Sequence, residues 1–137
     1  MKWRNVCTEG GGVKGLGLTG AACFMEDAKI WNDIENFCGT SAGAIFSLLA
    51  ALGYTPYEMK EIMFTLDYNK FKDKESYVRQ CFNLFRGYGL HSGKYFESWC
   101  QDIIEEKMGD PNATFLDHYN KKGKNLFIIT SNISTQY

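Results

Sequence analysis

The sequence predicts an α/β domain: a mainly parallel sheet flanked by helices on both faces. Three observations carry that expectation. Two strand–glycine-loop–helix units follow one another, Val6 to Phe24 and Ile34 to Leu52. Further amphipathic stretches come next with no strand between them. A β-rich run, Leu126 to Ser131, closes the pattern. Strands that alternate with helices pair in parallel, because each helix carries the chain back to the starting edge of the sheet.

Trp3 to Thr8 reads as the first strand, and Glu9-Gly10-Gly11-Gly12 cannot continue it. From Val13 a helix is predicted, with Val13, Leu16, Gly17, Gly20, Ala21 and Phe24 on one face. Its small residues predict a close approach to the sheet. Ile34 to Cys38 is the second strand and Ser41 to Leu52 the second helix, closed by Gly53 at C′. Thr55-Pro56-Tyr57-Glu58 joins a capping box to a proline at N1, so a third helix begins there. Asp67 to Lys74 is a polar loop, and Ser76 to Phe85 reads as helix until Gly87-Tyr88-Gly89 breaks it. Phe96, Trp99, Cys100 and Ile103 define an amphipathic helix ending near Gly109. Thr114 with Asp117 opens a short helix before the last strand. Residues 1–137 are thus expected to form one domain whose sheet is cut short after its third evident strand. An edge left without its neighbour invites association.

Composition narrows the function. Hydrophobic residues make up 45% of the 137 and aromatic ones 15%, enough for a packed core. Fifteen basic residues face 16 acidic ones, which argues against nucleic acid as a partner. The longest apolar run, Ala42 to Leu52, is too short for a transmembrane segment. Five cysteines, Cys7, Cys23, Cys38, Cys81 and Cys100, show no paired short spacing. They read as reduced, mostly buried thiols of a cytoplasmic protein, with no metal site. Cys38 in particular is expected to be a buried structural thiol.

Two motifs carry chemistry. Gly39-Thr40-Ser41-Ala42-Gly43 is a G-x-S-x-G pentapeptide between a strand and a helix. A serine on such a turn is lifted clear of the sheet through a strained backbone. The plainer reading is a serine that caps the helix. Gly10-Gly11-Gly12-Val13-Lys14-Gly15 is a G-x-G-x-x-G loop, also between strand and helix. It offers free backbone N–H groups for an oxyanion, with Lys14 shaping the loop. The same spacing fits a dinucleotide-binding turn, for which Glu35 is the ribose-binding acid. Both loops fall at the carboxyl ends of strands, on one rim. A Ser-His-Asp triad would need His91 or His118, the two histidines, for which surface or capping roles are expected.

With Glu9-Gly10-Gly11-Gly12-Val13-Lys14-Gly15 ahead of Gly39-Thr40-Ser41-Ala42-Gly43, the chain resembles the patatin-like phospholipases. Tyr88-Gly89-Leu90, Thr114-Phe115-Leu116-Asp117 and the terminal strand look like that domain's later landmarks. The resemblance implies a lipid acyl hydrolase with a Ser-Asp dyad. Ser41 would be the nucleophile, and the amides of Gly10, Gly11, Gly12 and Ala42 the oxyanion hole. It implies no metal or organic cofactor, and a phospholipid or glycerolipid substrate met at a membrane surface. The family's catalytic aspartate lies in an Asp-Gly-Gly or Asp-Gly-Ala motif, and this chain has no Asp-Gly dipeptide. The 137 residues alone are therefore expected to be inactive. A catalytically inactive lipid-binding fragment and a dinucleotide-binding module are the alternatives.

Overall fold

The computed structural model describes residues 3–67, 70 and 93–132. The predicted loop beyond residue 70, the Ser76 to Phe85 helix, the Gly87 to Leu90 landmark, Cys81 and His91 lie outside the described residues. The chain divides into two compact units, Met1–Thr65 with Ala113–Tyr137, and Leu66–Asn112.

The first unit is built on a three-stranded parallel sheet in the order β1 (Asn5–Thr8), β2 (Asn36–Gly39), β3 (Asn125–Ile128). Each strand is shorter than the sequence suggested. Trp3 and Ile34 read as strand on β-propensity, yet Ile34 sits just past a 3-10 turn, Trp31–Asp33, that redirects the chain. Pairing begins at a shared register, Asn5↔Asn36↔Asn125. There the side-chain amides form a ladder, Asn125 Nδ2 donating to Asn36 Oδ1 at 2.7 Å and Asn36 Nδ2 to Asn5 Oδ1 at 2.6 Å.

Side chains alternate across the sheet. Val6, Thr8, Phe37 and Gly39 face α2 (Ala42–Leu52), which lies along that side. Phe37, Leu49 and Ala51 are fully buried, and Trp31 packs against Phe37 and Phe46 with ring centroids 5.4 and 6.1 Å away. The helix α3 (Pro56–Thr65) starts at the expected capping box, with Thr55 N–H to Glu58 Oε2 at 2.6 Å and Glu58 N–H to Thr55 Oγ1 at 3.2 Å. Met59 and Met63 of α3 complete the core.

The helix α1 (Leu16–Asp27) corrects the sequence reading. It packs on α3, not closely on the sheet, and buries Thr19 and Ala22. The predicted face points outward: Phe24 is 71% and Val13 60% exposed, and Gly17 and Gly20 have open space where a Cβ would sit. Small and apolar residues surround this helix, so periodicity alone did not single out a face. Thr19 is accepted inside because its hydroxyl donates to Leu16 O at 2.7 Å.

Among the described residues of this unit, α2 lies along one face of the sheet. The opposite face carries Asn5, Cys7, Asn36, Cys38, Asn125 and Phe127. The cysteines follow from that. Cys7 is exposed and Cys23, Cys38 and Cys100 are half-buried, so the expected buried thiols, Cys38 included, are not seen among the described residues.

The helix α5 (Phe115–Lys122) closes this unit. In the second unit, α4 (Lys94–Met108) runs as predicted and ends at Gly109 with φ 77°. Phe96 and Trp99 stack at 6.1 Å, Ile103 is buried, and burial pushes the Cys100 thiol up to about 11.

Candidate active site

Thr8, Gly39 and Ile128 stand side by side at the carboxyl ends of their strands, so the segments that follow share one rim. Ser41 leaves β2 with φ 52° and ψ −126° and is exposed. A non-glycine residue there stores about 1–3 kcal/mol of strain, held only by surrounding structure. That structure is visible. Gly43 N–H bonds to Thr40 O at 2.9 Å, Ala44 N–H to Ser41 O at 2.9 Å and Thr40 N–H to Thr8 O at 3.3 Å. Thr40 Oγ1 donates to Ile129 O at 3.3 Å. Ser41 stands at the N-cap position of α2, but its side chain makes no capping bond. The plainer reading of this serine as a helix cap fails on that point.

The pentapeptide's glycines are sterically required. A Cβ on Gly39 would run into the Gly43 carbonyl and sit 2.7 Å from Ala44 N. One on Gly43 would run into Thr8 O and sit 2.6 Å from Glu9 O. β1, β2 and the start of α2 therefore meet backbone to backbone. Thr8 fastens the junction: its hydroxyl lies 2.9 Å from Gly43 O, 3.2 Å from Cys38 O and 3.2 Å from Ser47 Oγ. Thr8→Val keeps the shape and removes that hydroxyl, beside a fully buried Ser47. We expect it to cost about 1–3 kcal/mol in chemical denaturation, with Thr8→Ser recovering most of the loss. A Thr8→Val protein as stable as the wild type would show that the hydroxyl holds nothing.

The glycine loop lies directly beside the serine. A Cβ on Gly10 would sit 2.9 Å from Ser41 Cβ and 3.6 Å from Ser41 Oγ. Gly12 has φ 54°, and Gly12–Gly15 forms a 3-10 turn that leads into α1. A Cβ on Gly15 would sit 2.9 Å from Ala42 Cβ, so this loop and α2 touch. Among the described residues the amides of Gly10, Gly11, Gly12 and Ala42 donate no hydrogen bond, whereas Gly43, Ala44 and Ile45 are served by Thr40 O and Ser41 O. The Lys14 N–H closes the loop onto Gly11 O at 3.1 Å, and the residue is exposed.

The structure separates the other candidates from this cluster. His118 is buried, not on the surface, with Nε2 2.9 Å from Ala51 O in the last turn of α2. It caps the far end of that helix. Ser41 to Ala51 is ten positions of α2, about 15 Å at about 1.5 Å each. Asp117 is occupied in the α5 capping box, accepting from Thr114 N–H at 2.9 Å and Thr114 Oγ1 at 2.6 Å. Those bonds hold its carboxyl below the usual range. Asp27 accepts from Tyr57 Oη at 2.9 Å, which pushes the phenol up. Among the described residues no carboxylate hydrogen-bonds to Ser41 Oγ. Glu35, the ribose-binding acid of the dinucleotide reading, precedes β2 and pairs with Arg4 at 3.2 Å. It is at the strand's amino end, away from the glycine rim. Among the described residues no three His, Cys, Asp or Glu side chains converge as a metal site, and no helix is long and apolar enough to cross a membrane.

One rim of a parallel α/β sheet thus holds a strained serine turn beside a glycine loop. The profile of the patatin-like phospholipases matches residues 6–135, and the chain belongs to that family. A mimivirus protein, uncharacterised protein R571, is 31% identical over 97% of this chain and 43% of its own length. The Bacillus subtilis protein YqhO, also uncharacterised, is 33% identical over 72% of this chain and 35% of its own. A probable lipid hydrolase, 463L of invertebrate iridescent virus 6, is 27% identical over 96% of this chain and 44% of its own. The chain spans less than half the length of these relatives. No solved structure matches it.

Proposed function

We propose that this chain carries the nucleophile and oxyanion half of a serine lipid acyl hydrolase. Ser41 Oγ attacks a fatty-acyl ester carbonyl, and an acyl-enzyme forms with release of the alcohol. The amides of Gly10, Gly11, Gly12 and Ala42 receive the oxyanion, a single such donor contributing about 3–4 kcal/mol to barrier lowering. Water then frees the fatty acid. The substrate is a phospholipid or glycerolipid taken from a membrane surface, a reading favoured by the family and by the iridescent-virus relative's name.

One observation carries the reading: an exposed, strained serine with no capping bond, in van der Waals reach of a loop whose amides are unspent. A serine hydroxyl at its ordinary pKa is a poor nucleophile and needs a base in hydrogen-bond reach. We assign that base to an aspartate that is not in these 137 residues. The chain alone should then hydrolyse a p-nitrophenyl ester no faster than its Ser41→Ala variant. Protein expressed from the full reading frame should be labelled by a fluorophosphonate probe, and Ser41→Ala should abolish the label. Labelling that survives the substitution would remove Ser41 from the mechanism. Robust Ser41-dependent turnover by the 137 residues would put the base inside them, with His91 the first residue to test.

A further inference from the structure

Cys7 and Cys38 are register partners on adjacent parallel strands, so both side chains project from the same sheet face, the one α2 leaves open. Cys7 is exposed and Cys38 half-buried. Neighbouring strands run about 4.8 Å apart, inside the Cα separation a disulfide accepts, about 4.4–6.8 Å. The pair also stands one residue short of both loops of the site: Cys7 precedes Thr8, and Cys38 precedes Gly39-Thr40-Ser41. Neither thiol has a role in the acyl-transfer reading.

We propose that Cys7 and Cys38 are an oxidisable dithiol, closed by a peroxide into a cross-strand disulfide beneath the serine turn. Cys7, the exposed partner, meets the oxidant first. Its thiolate attacks one peroxide oxygen, the O–O bond breaks, and hydroxide leaves a sulfenic acid on Cys7. The Cys38 sulfur attacks the Cys7 sulfur, the S–O bond breaks, and the S–S bond forms. Two thiols lose two electrons and two protons while hydrogen peroxide becomes two waters. Burial, then the neighbouring Cys7, pushes the Cys38 thiol up, which suits a resolving partner that stays protonated until the sulfenic acid forms.

Closure must draw the two Cβ atoms to about 3.8 Å, which twists the strand ends at Thr8 and Gly39. The contact of Gly10 with Ser41 leaves little slack for that motion. Oxidation should therefore slow reaction at Ser41 by about tenfold or more, the scale of a displaced catalytic contact. That consequence rests on the Ser41 reading, but formation of the disulfide does not.

The test treats purified protein with stoichiometric hydrogen peroxide, alkylates the remaining thiols and maps peptides by mass. The expected product is a dithiothreitol-reversible peptide joining Cys7 to Cys38, absent from Cys7→Ser and Cys38→Ser. Dimedone should trap a sulfenic acid on Cys7 in the Cys38→Ser variant. Oxidation confined to Cys23, Cys81 or Cys100, or Cys7 found only in disulfides between molecules, would overturn the proposal. Fluorophosphonate labelling of the full-reading-frame protein supplies the second readout. Peroxide should slow it in the wild type and leave Cys7→Ser unaffected. A joined peptide in protein that never labels at Ser41 would count against the serine reading and leave the dithiol standing.

Discussion

Gly43→Ala should leave little folded protein. Its added methyl would run into Thr8 O and approach Glu9 O to 2.6 Å. Both obstacles are backbone atoms, at the end of β1 and the start of the glycine loop, so no side chain can swing aside. Relief requires α2 to lift from the sheet, which would separate Thr8 from Gly43 O and Ser47. Overpacking of a rigid core typically costs about 1–3 kcal/mol, and a clash against fixed backbone belongs at or beyond the top of that range. A marginally stable domain has about 5–15 kcal/mol to lose. Gly20→Ala supplies the control. Gly20 lies within α1 with open space at the Cβ position, so alanine there should stabilise by up to about 1 kcal/mol. Denaturation midpoints of the two variants should move in opposite directions. Equal behaviour would mean that the serine turn is not packed as described.

Why one glycine forbids a methyl and the other welcomes it was only half legible in the sequence. The G-x-S-x-G spacing between strand and helix announced the turn, because few other arrangements need small residues on both sides of a serine. The capping boxes at Thr55 and Thr114 were equally plain, since capping is local chemistry written in four consecutive residues. The orientation of α1 was not. Gly17, Gly20 and Ala21 promised a close approach that the fold does not use, because α3 supplies the surface α1 packs on. His118 was missed as a core residue for a similar reason. Its partner, Ala51 O, lies 67 positions away, and a lone polar residue on a short helix gives no hint of it. The thiol pair was invisible likewise, since register alone brings Cys7 beside Cys38.

Gly10→Ala should cripple reaction at Ser41 while sparing the fold. The new Cβ would stand 2.9 Å from Ser41 Cβ, closer than real Cβ atoms come, and 3.6 Å from Ser41 Oγ. Something must shift by a few tenths of an ångström. The loop is exposed and can yield outward, so the stability cost should be small, about 1 kcal/mol. The chemistry cannot yield so easily. The oxyanion amides must stay about 2.7–3.1 Å from the forming charge, and losing one typically costs about a hundredfold to a thousandfold in rate. Fluorophosphonate labelling of the full-reading-frame protein should slow on that scale, with the denaturation midpoint nearly unmoved. Gly11→Ala sets the comparison. Its Cβ would meet only ordinary contacts, 3.7 Å to Gly15 N and to Lys14 Cβ, so the protein itself leaves room there. The two variants should therefore differ by about tenfold or more in labelling rate, Gly10→Ala being the slower. Equal rates would mean that the loop does not touch the reacting serine, and the oxyanion assignment would fall with that contact.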